Sequence, residues 1–160
     1  GVPSAGIAEV LSSFAGLPHR MVHVADVAGV AYYDDSKATN VGATVAALDG
    51  LAPQRIVLIA GGKDKGGDYA PMRDRLAACG RAVVLIGEAR PIIQRALTGA
   101  PYPIESADSM ADAVQRARRL AKPGDAVLLA PACASFDMFQ SYVHRGDVFQ
   151  AAVRELQGGA

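Results

Sequence analysis

The sequence predicts an α/β domain of three layers, a Rossmann-like arrangement in which a mostly parallel sheet of about six strands is flanked by helices. Two observations carry this. Short β-rich runs alternate along the chain with longer stretches of helical periodicity, the pattern of successive strand–helix units. Three of those runs, Arg55 to Ala60 around Ile56-Val57-Leu58-Ile59, Ala82 to Ile86, and Ala126 to Ala130, are continuously apolar. Strands covered by helices on both faces read this way.

Taken in order, residues 5–15 read as a helix ended by Gly16 and Pro18. Strands follow near 20–25 and 30–34, joined as a hairpin around Ala28-Gly29. Val41, Val45 and Leu48 share one face of a helix over 40–49. Pro71 suits the start of a helix that follows Asp68 and carries Met72 and Leu76, because the N–H that proline lacks is unpaired there anyway. Pro91 plays the same part before Ile92, Ile93 and Ala96. Pro101 to Glu105 is a weaker strand, and its two prolines mark an edge or lead-in segment. Residues 108–121 space Met110, Val114 and Ala117 helically and stop at Lys122-Pro123-Gly124. Phe149, Ala152, Val153 and Leu156 form a terminal helix after a break at Arg145-Gly146-Asp147. With no internal repeat, low-complexity tract or linker, residues 1–160 read as a single domain.

Composition excludes several function classes. Apolar residues make up 51% and charged residues 20%, a globular rather than a disordered profile. Formal net charge is +0 with the basic residues dispersed, so no nucleic-acid surface is expected. Tyr32, Tyr33, Phe136 and Phe139 are too scattered for a base-stacking platform. No apolar run approaches membrane-spanning length and no signal-peptide pattern opens the chain. Cys79 and Cys133 make neither a disulfide framework nor a CxxC pair, and the three histidines lack metal-ligand spacing. A reducing, cytoplasmic setting and no metal site are expected.

Ligands of parallel α/β sheets gather at the carboxyl ends of strands, and three distinctive blocks fall there. Asp35-Ser36-Lys37-Ala38-Thr39-Asn40 follows the strand at 30–34 and precedes a helix, where free N–H groups and the helix dipole favour anions. One lysine and two hydroxyls suit phosphate or carboxylate; a helix capped by Thr39 or Ser36, with Lys37 in water, would use the same residues. Gly61-Gly62-Lys63-Asp64-Lys65-Gly66-Gly67 is neither a Walker A loop nor a GxGxxG fingerprint. Its glycines either present Lys63 or Lys65 to the cleft or form a solvated turn, and the turn is the simpler reading of these residues alone. Ala130-Pro131-Ala132-Cys133-Ala134-Ser135 runs into a helix headed by Phe136-Asp137. Cys133, among alanines, reads as a buried inert thiol rather than a nucleophile with His144 as base. Ser135 is the better candidate, as a hydrogen-bond donor to a carboxylate. Arg20, beside a strand start, has the rigid donor fork that suits phosphate, or pairs on the surface with an acid such as Asp26. Asp34 and Asp35 are not an acid–base pair, since strand neighbours face opposite ways.

In order and spacing, Tyr33 to Asn40, Gly61 to Tyr69 and Pro131 to Asp137 resemble the C-terminal domain of the Mur ligases. Phe14 to Arg20 resembles the lead-in to that domain, and the Asp-Ser-Lys-Ala-Thr-Asn and Pro-Ala-Cys-Ala-Ser blocks resemble the D-glutamate-adding branch. The resemblance implies ATP-dependent amide formation in peptidoglycan synthesis. The carboxylate of UDP-N-acetylmuramoyl-L-alanine attacks the γ-phosphate to give an acyl phosphate, which the amine of D-glutamate then attacks. It implies that Lys37 serves the phosphoryl end, that Arg20 and Asp35 hold the nucleotide, and that Thr39, Lys65, Ser135, Phe136 and Tyr142 surround D-glutamate. Lys63 departs from the small or acidic residue common at its position. ATP and Mg2+ are implied for the full-length enzyme, with the metal ligands and a Gly-Lys-Thr loop outside this chain. A monomer with no nucleic-acid or membrane partner is expected, catalytically incomplete as an isolated domain. Two rival readings stay open: another Mur ligase or a folylpolyglutamate synthase, and a stand-alone nucleotide- or anion-binding module.

Overall fold

The structure, a computed structural model, describes residues 16–159. The helix expected over 5–15 lies outside them. Six strands form one sheet: β1 (Val22–Val27), β2 (Val30–Asp34), β3 (Ile56–Gly61), β4 (Gly80–Ile86), β5 (Ile104–Ser106) and β6 (Ala126–Leu129). Their order is β1-β2-β6-β3-β4-β5, parallel throughout except for the β1–β2 hairpin. Among the described residues five helices flank it: α1 (Val41–Gly50), α2 (Ala70–Cys79), α3 (Arg90–Ala96), α4 (Met110–Leu120) and α5 (Tyr142–Gly158).

The apolar runs divide by parity, as the period of a strand requires. Ile56, Leu58, Val83, Leu85 and Leu128 pack with Leu48, Met72, Leu76 and Ile93 from α1, α2 and α3. Val57, Ile59, Val84, Val127 and Leu129 pack with Val114, Phe149 and Val153 from α4 and α5. Each of these side chains is at most 1% exposed; burying one contributes roughly 1.5–3 kcal/mol before entropy is counted. Three layers follow from that alternation.

Turn chemistry accounts for the hairpin. Ala28 and Gly29 have φ of 51° and 79°, and two positive φ values in a two-residue loop match the twist of the flanking strands. The proline-bounded candidate strand becomes β5, three residues at the sheet edge.

Three local expectations are corrected. Arg145-Gly146-Asp147 does not break a helix: α5 runs through it. A Cβ on Gly146 would lie 2.1 Å from His19 Nδ1, so glycine here provides room for a neighbour instead of ending the helix. Phe136-Asp137 does not head a helix either. Residues 134–140 form turns, with the Ser135 carbonyl accepting the N–H groups of Met138 and Phe139, and α5 begins after Ser141 caps it. Finally, Asn40 caps α1, its side chain accepting the Ala43 N–H at 2.9 Å, while the Ser36 hydroxyl is engaged by the Tyr142 carbonyl and Arg145. The buried face of α1 is Thr44, Ala47 and Leu48, with Val41 and Val45 at its margin.

Candidate functional site

The three sequence blocks leave neighbouring strands β2, β6 and β3 at their carboxyl ends, and backbone bonds stitch them together. Asp35 N–H donates to the Leu129 carbonyl at 2.8 Å, Ala132 N–H to Ala38 at 2.9 Å, and Gly61 N–H to Pro131 at 2.8 Å. Lys63 and Ala134 exchange two backbone bonds, 2.9 and 3.1 Å long. Gly62, at φ 137°, lies so close to Ala134 that a Cβ would be 2.3 Å from its carbonyl oxygen. Glycine is required there by approach as much as by conformation.

Arg20, Asp35 and Lys37 line one cleft of about 290 Å³ with Met21, Ala38 and Ala43. Asp35 is buried, and that burial pushes its carboxyl above the usual carboxylate range, with the Met21 N–H and the Arg20 charge pulling it partly back. Lys37 Nζ stands 5.3 Å from the centroid of the Tyr142 ring, within reach of a cation–π attraction. Thr39 lies in the turn after Lys37, its N–H on the Lys37 carbonyl.

Lys65 lines a second cleft of about 210 Å³ with Asn40, Asp64, Tyr69 and Ala132. The glycine loop is built around Asp64. The Tyr69 hydroxyl donates to its carboxylate at 2.7 Å. That bond above all, and the N–H groups of Gly66, Lys65 and Gly67 with it, hold the carboxyl below its ordinary range against a desolvation that acts the other way. Lys63 and Lys65 are both exposed, but Lys63 is the one tied through its backbone to Ala134.

The β6–α5 connection carries the rest. Ser135 is 2% exposed and Phe136 71%, so neighbouring residues have opposite surroundings. Cys133 is fully buried and its Sγ lies 3.2 Å from the Tyr69 hydroxyl. Burial pushes its thiol up, which disfavours the nucleophilic thiolate. His144 is engaged by the Gln140 N–H instead.

Behind the clefts lies a buried polar cluster that sequence reasoning missed. Ser36 donates its N–H to Asp34 Oδ1 at 2.9 Å and its hydroxyl to the Tyr142 carbonyl at 2.7 Å. It accepts from Arg145 twice, Nε to Oγ at 2.9 Å and Nη2 to the carbonyl at 2.7 Å. Arg145 Nη1 also donates to the Cys133 carbonyl at 3.1 Å. Burial brings the guanidinium down to about 10, still protonated at neutral pH. Asp34 Oδ2 lies 2.7 Å from His19 Nδ1 and accepts from Gln150 Nε2, also at 2.7 Å. No sequence period marks these residues, because their partners are up to 116 positions away.

Among the described residues no cluster of His, Cys, Asp or Glu is arranged to hold a metal ion, and no helix is long and apolar enough to cross a membrane. One cleft holds two cations and a carboxyl and suits a polyanion; the other sets Lys65 beside the carboxylates of Asp64 and Asp68 and suits a ligand that bears both a carboxylate and an ammonium group.

The family description "Mur ligase, glutamate ligase domain" matches residues 19–133. The chain is 52% identical over 155 residues, 97% of its length, to UDP-N-acetylmuramoylalanine–D-glutamate ligase of Thiobacillus denitrificans. It spans about a third of the length of that relative, 33%. Among solved structures it resembles UDP-N-acetylmuramate-alanine ligase from Thermotoga maritima, with a TM-score of 0.67 at 14% identity over 98% of this chain and 34% of that one. It also resembles a bifunctional folylpolyglutamate synthase/dihydrofolate synthase from Yersinia pestis, with a TM-score of 0.65 at 17% identity over 100% and 35%. These two likenesses concern the fold.

Proposed function

Because the chain belongs to the Mur ligase family through a glutamate ligase domain, we propose that it is the C-terminal domain of the cytoplasmic, ATP-dependent ligase that adds D-glutamate to UDP-N-acetylmuramoyl-L-alanine. The observation that carries this is 52% identity along 97% of the chain to a ligase named for D-glutamate. The distant structural likenesses extend across ligases of other names and support only the shared scaffold.

In this reading the first cleft takes the phosphate-bearing end of ATP. Arg20 offers its donor fork to phosphate, Asp35 accepts from ribose hydroxyls, and Lys37 lies where charge shifts as the γ-phosphoryl group passes to the substrate carboxylate. The donor set fits a nucleotide: two cations and a carboxyl, in a cleft floored by small residues. Lys65 and Ser135 bind the carboxylates of D-glutamate, with Thr39, Phe136 and Tyr142 around them, and orient its amine toward the acyl phosphate. Mg2+ would supply charge neutralisation at the phosphates when bound, and in this reading its ligands belong to the rest of the full-length protein. The full enzyme acts as a soluble monomer.

The test is substrate dependence in the full-length protein. ADP release should require both UDP-N-acetylmuramoyl-L-alanine and D-glutamate. Release supported equally by L-alanine, L-glutamate or a folate acceptor would assign the chain to another branch. ATP binding without turnover for any amino acid would leave a nucleotide-binding module.

A further inference from the structure

We propose that Arg145 is a positioning residue that sets Lys37 and the β6–α5 connection relative to each other, so that one buried guanidinium aligns the phosphoryl and amino-acid ends of the site. This rests on the roles assigned above to Lys37, Ser135 and Tyr142. Arg145 is 0% exposed, and its hydrogen-bond acceptors among the described residues are all neutral: Ser36 Oγ, the Ser36 carbonyl and the Cys133 carbonyl. Removing a charge from water costs several kcal/mol, and an apolar side chain of similar volume often serves stability as well or better. What an apolar side chain lacks is direction. The planar fork of arginine binds several acceptors in fixed geometry, and here it spans two segments at once.

Those segments carry the proposed chemistry. Ser36 directly precedes Lys37, and all of its polar atoms are engaged: the N–H by Asp34, the carbonyl by Arg145, the hydroxyl by Arg145 and Tyr142. Cys133 lies two residues before Ser135, and Tyr142, whose ring faces Lys37, lies in the same first turn of α5 as Arg145. A shift of Arg145 therefore moves the lysine and the amino-acid pocket together.

The test uses the full-length protein. Arg145→Lys keeps the charge and loses the fork. Ser36→Ala keeps Arg145 and removes the Nε bond and the tie to Tyr142, a milder change that stands in if the lysine variant does not fold. In a variant with a cooperative melt, kcat at saturating ATP and D-glutamate should fall about tenfold or more, since misplacement by about 1 Å costs up to about a hundredfold. In a Lys37→Ala background the same substitution should lower kcat by less than it does alone, because the part of its effect that runs through the lysine is already lost. A purely structural role would leave kcat per folded molecule unchanged. Wild-type kcat in folded Ser36→Ala, or a loss that multiplies with that of Lys37→Ala, overturns the proposal. A wild-type protein inert toward D-glutamate overturns the functional reading, and this proposal with it, before any substitution is made.

Discussion

At the residue scale, Lys37 and Lys65 line different clefts, and their substitutions should separate in kinetics. In the full-length protein Lys37→Ala should lower kcat far more than it raises the KM for D-glutamate, because an ammonium at the transferring phosphoryl group acts on the transition state. Lys65→Ala should weaken D-glutamate binding about 10- to 150-fold, from roughly 1.5–3 kcal/mol for a hydrogen bond to a charged group, and leave the KM for ATP unchanged. If Lys65→Ala moves the ATP constant alone, the glycine loop serves the nucleotide. Asp125 is a residue of a different kind, concerned with stability. Burial acts to raise its carboxyl, but two bonds from Arg81, at 2.7 and 3.1 Å, and one from the Lys122 N–H bring it below the ordinary range. A depressed folded value means stability that is present above the unfolded carboxylate value, about 3.9, and lost as pH falls through the folded value. Asp125→Asn should therefore cost roughly 1.5–3 kcal/mol at pH 7, the worth of a hydrogen bond to a charged group. Urea melts at pH 7 and below pH 3 should show the gap to wild type narrowing in acid; a constant gap would mean the carboxylate charge contributes nothing.

At the element scale, α5 shows how a local signal misleads. Glycine in a helix interior costs about 1 kcal/mol against alanine, and Arg145-Gly146-Asp147 reads as a break for that reason. The compensating fact is spatial: the His19 ring occupies the place of the missing Cβ. Gly146→Ala should accordingly destabilise by roughly 1–3 kcal/mol through overpacking, despite its better helix propensity. Gly158→Ala, in the same helix with nothing within 4 Å of the added carbon, should be neutral or stabilising. Thermal melts of the pair decide it, and a stabilised Gly146→Ala would show that His19 simply moves aside. The cap of α1 teaches the same lesson. Ser36, Thr39 and Asn40 are all competent N-cap types, so local chemistry does not choose between them. Arg145, more than a hundred residues on, engages Ser36, and Asn40 caps.

At the scale of the whole molecule, the two apolar clusters lie on opposite faces of one sheet and share its strands. Loss of either exposes the other, so the isolated chain should unfold in a single cooperative transition; circular dichroism and tyrosine fluorescence melting at different temperatures would divide it into more than one unit. The same isolated chain, about a third of its relatives' length, should release no ADP in response to D-glutamate. The sequence by itself determined the layer architecture, because uninterrupted runs such as Ile56-Val57-Leu58-Ile59 need cover on both faces. It also determined which strand ends bear the distinctive blocks, because a parallel strand's carboxyl end follows from chain direction alone. Only the tertiary structure decided that β6 inserts between β2 and β3 and so brings the three blocks side by side. It alone decided that Tyr69 and Asp64 organise the glycine loop and that Arg145 and Asp34 hold Ser36 from either side. Strand and helix periods report on neighbours a few residues apart, whereas hydrogen bonds between buried polar groups depend on which distant segments the packing of the core brings within about 3 Å.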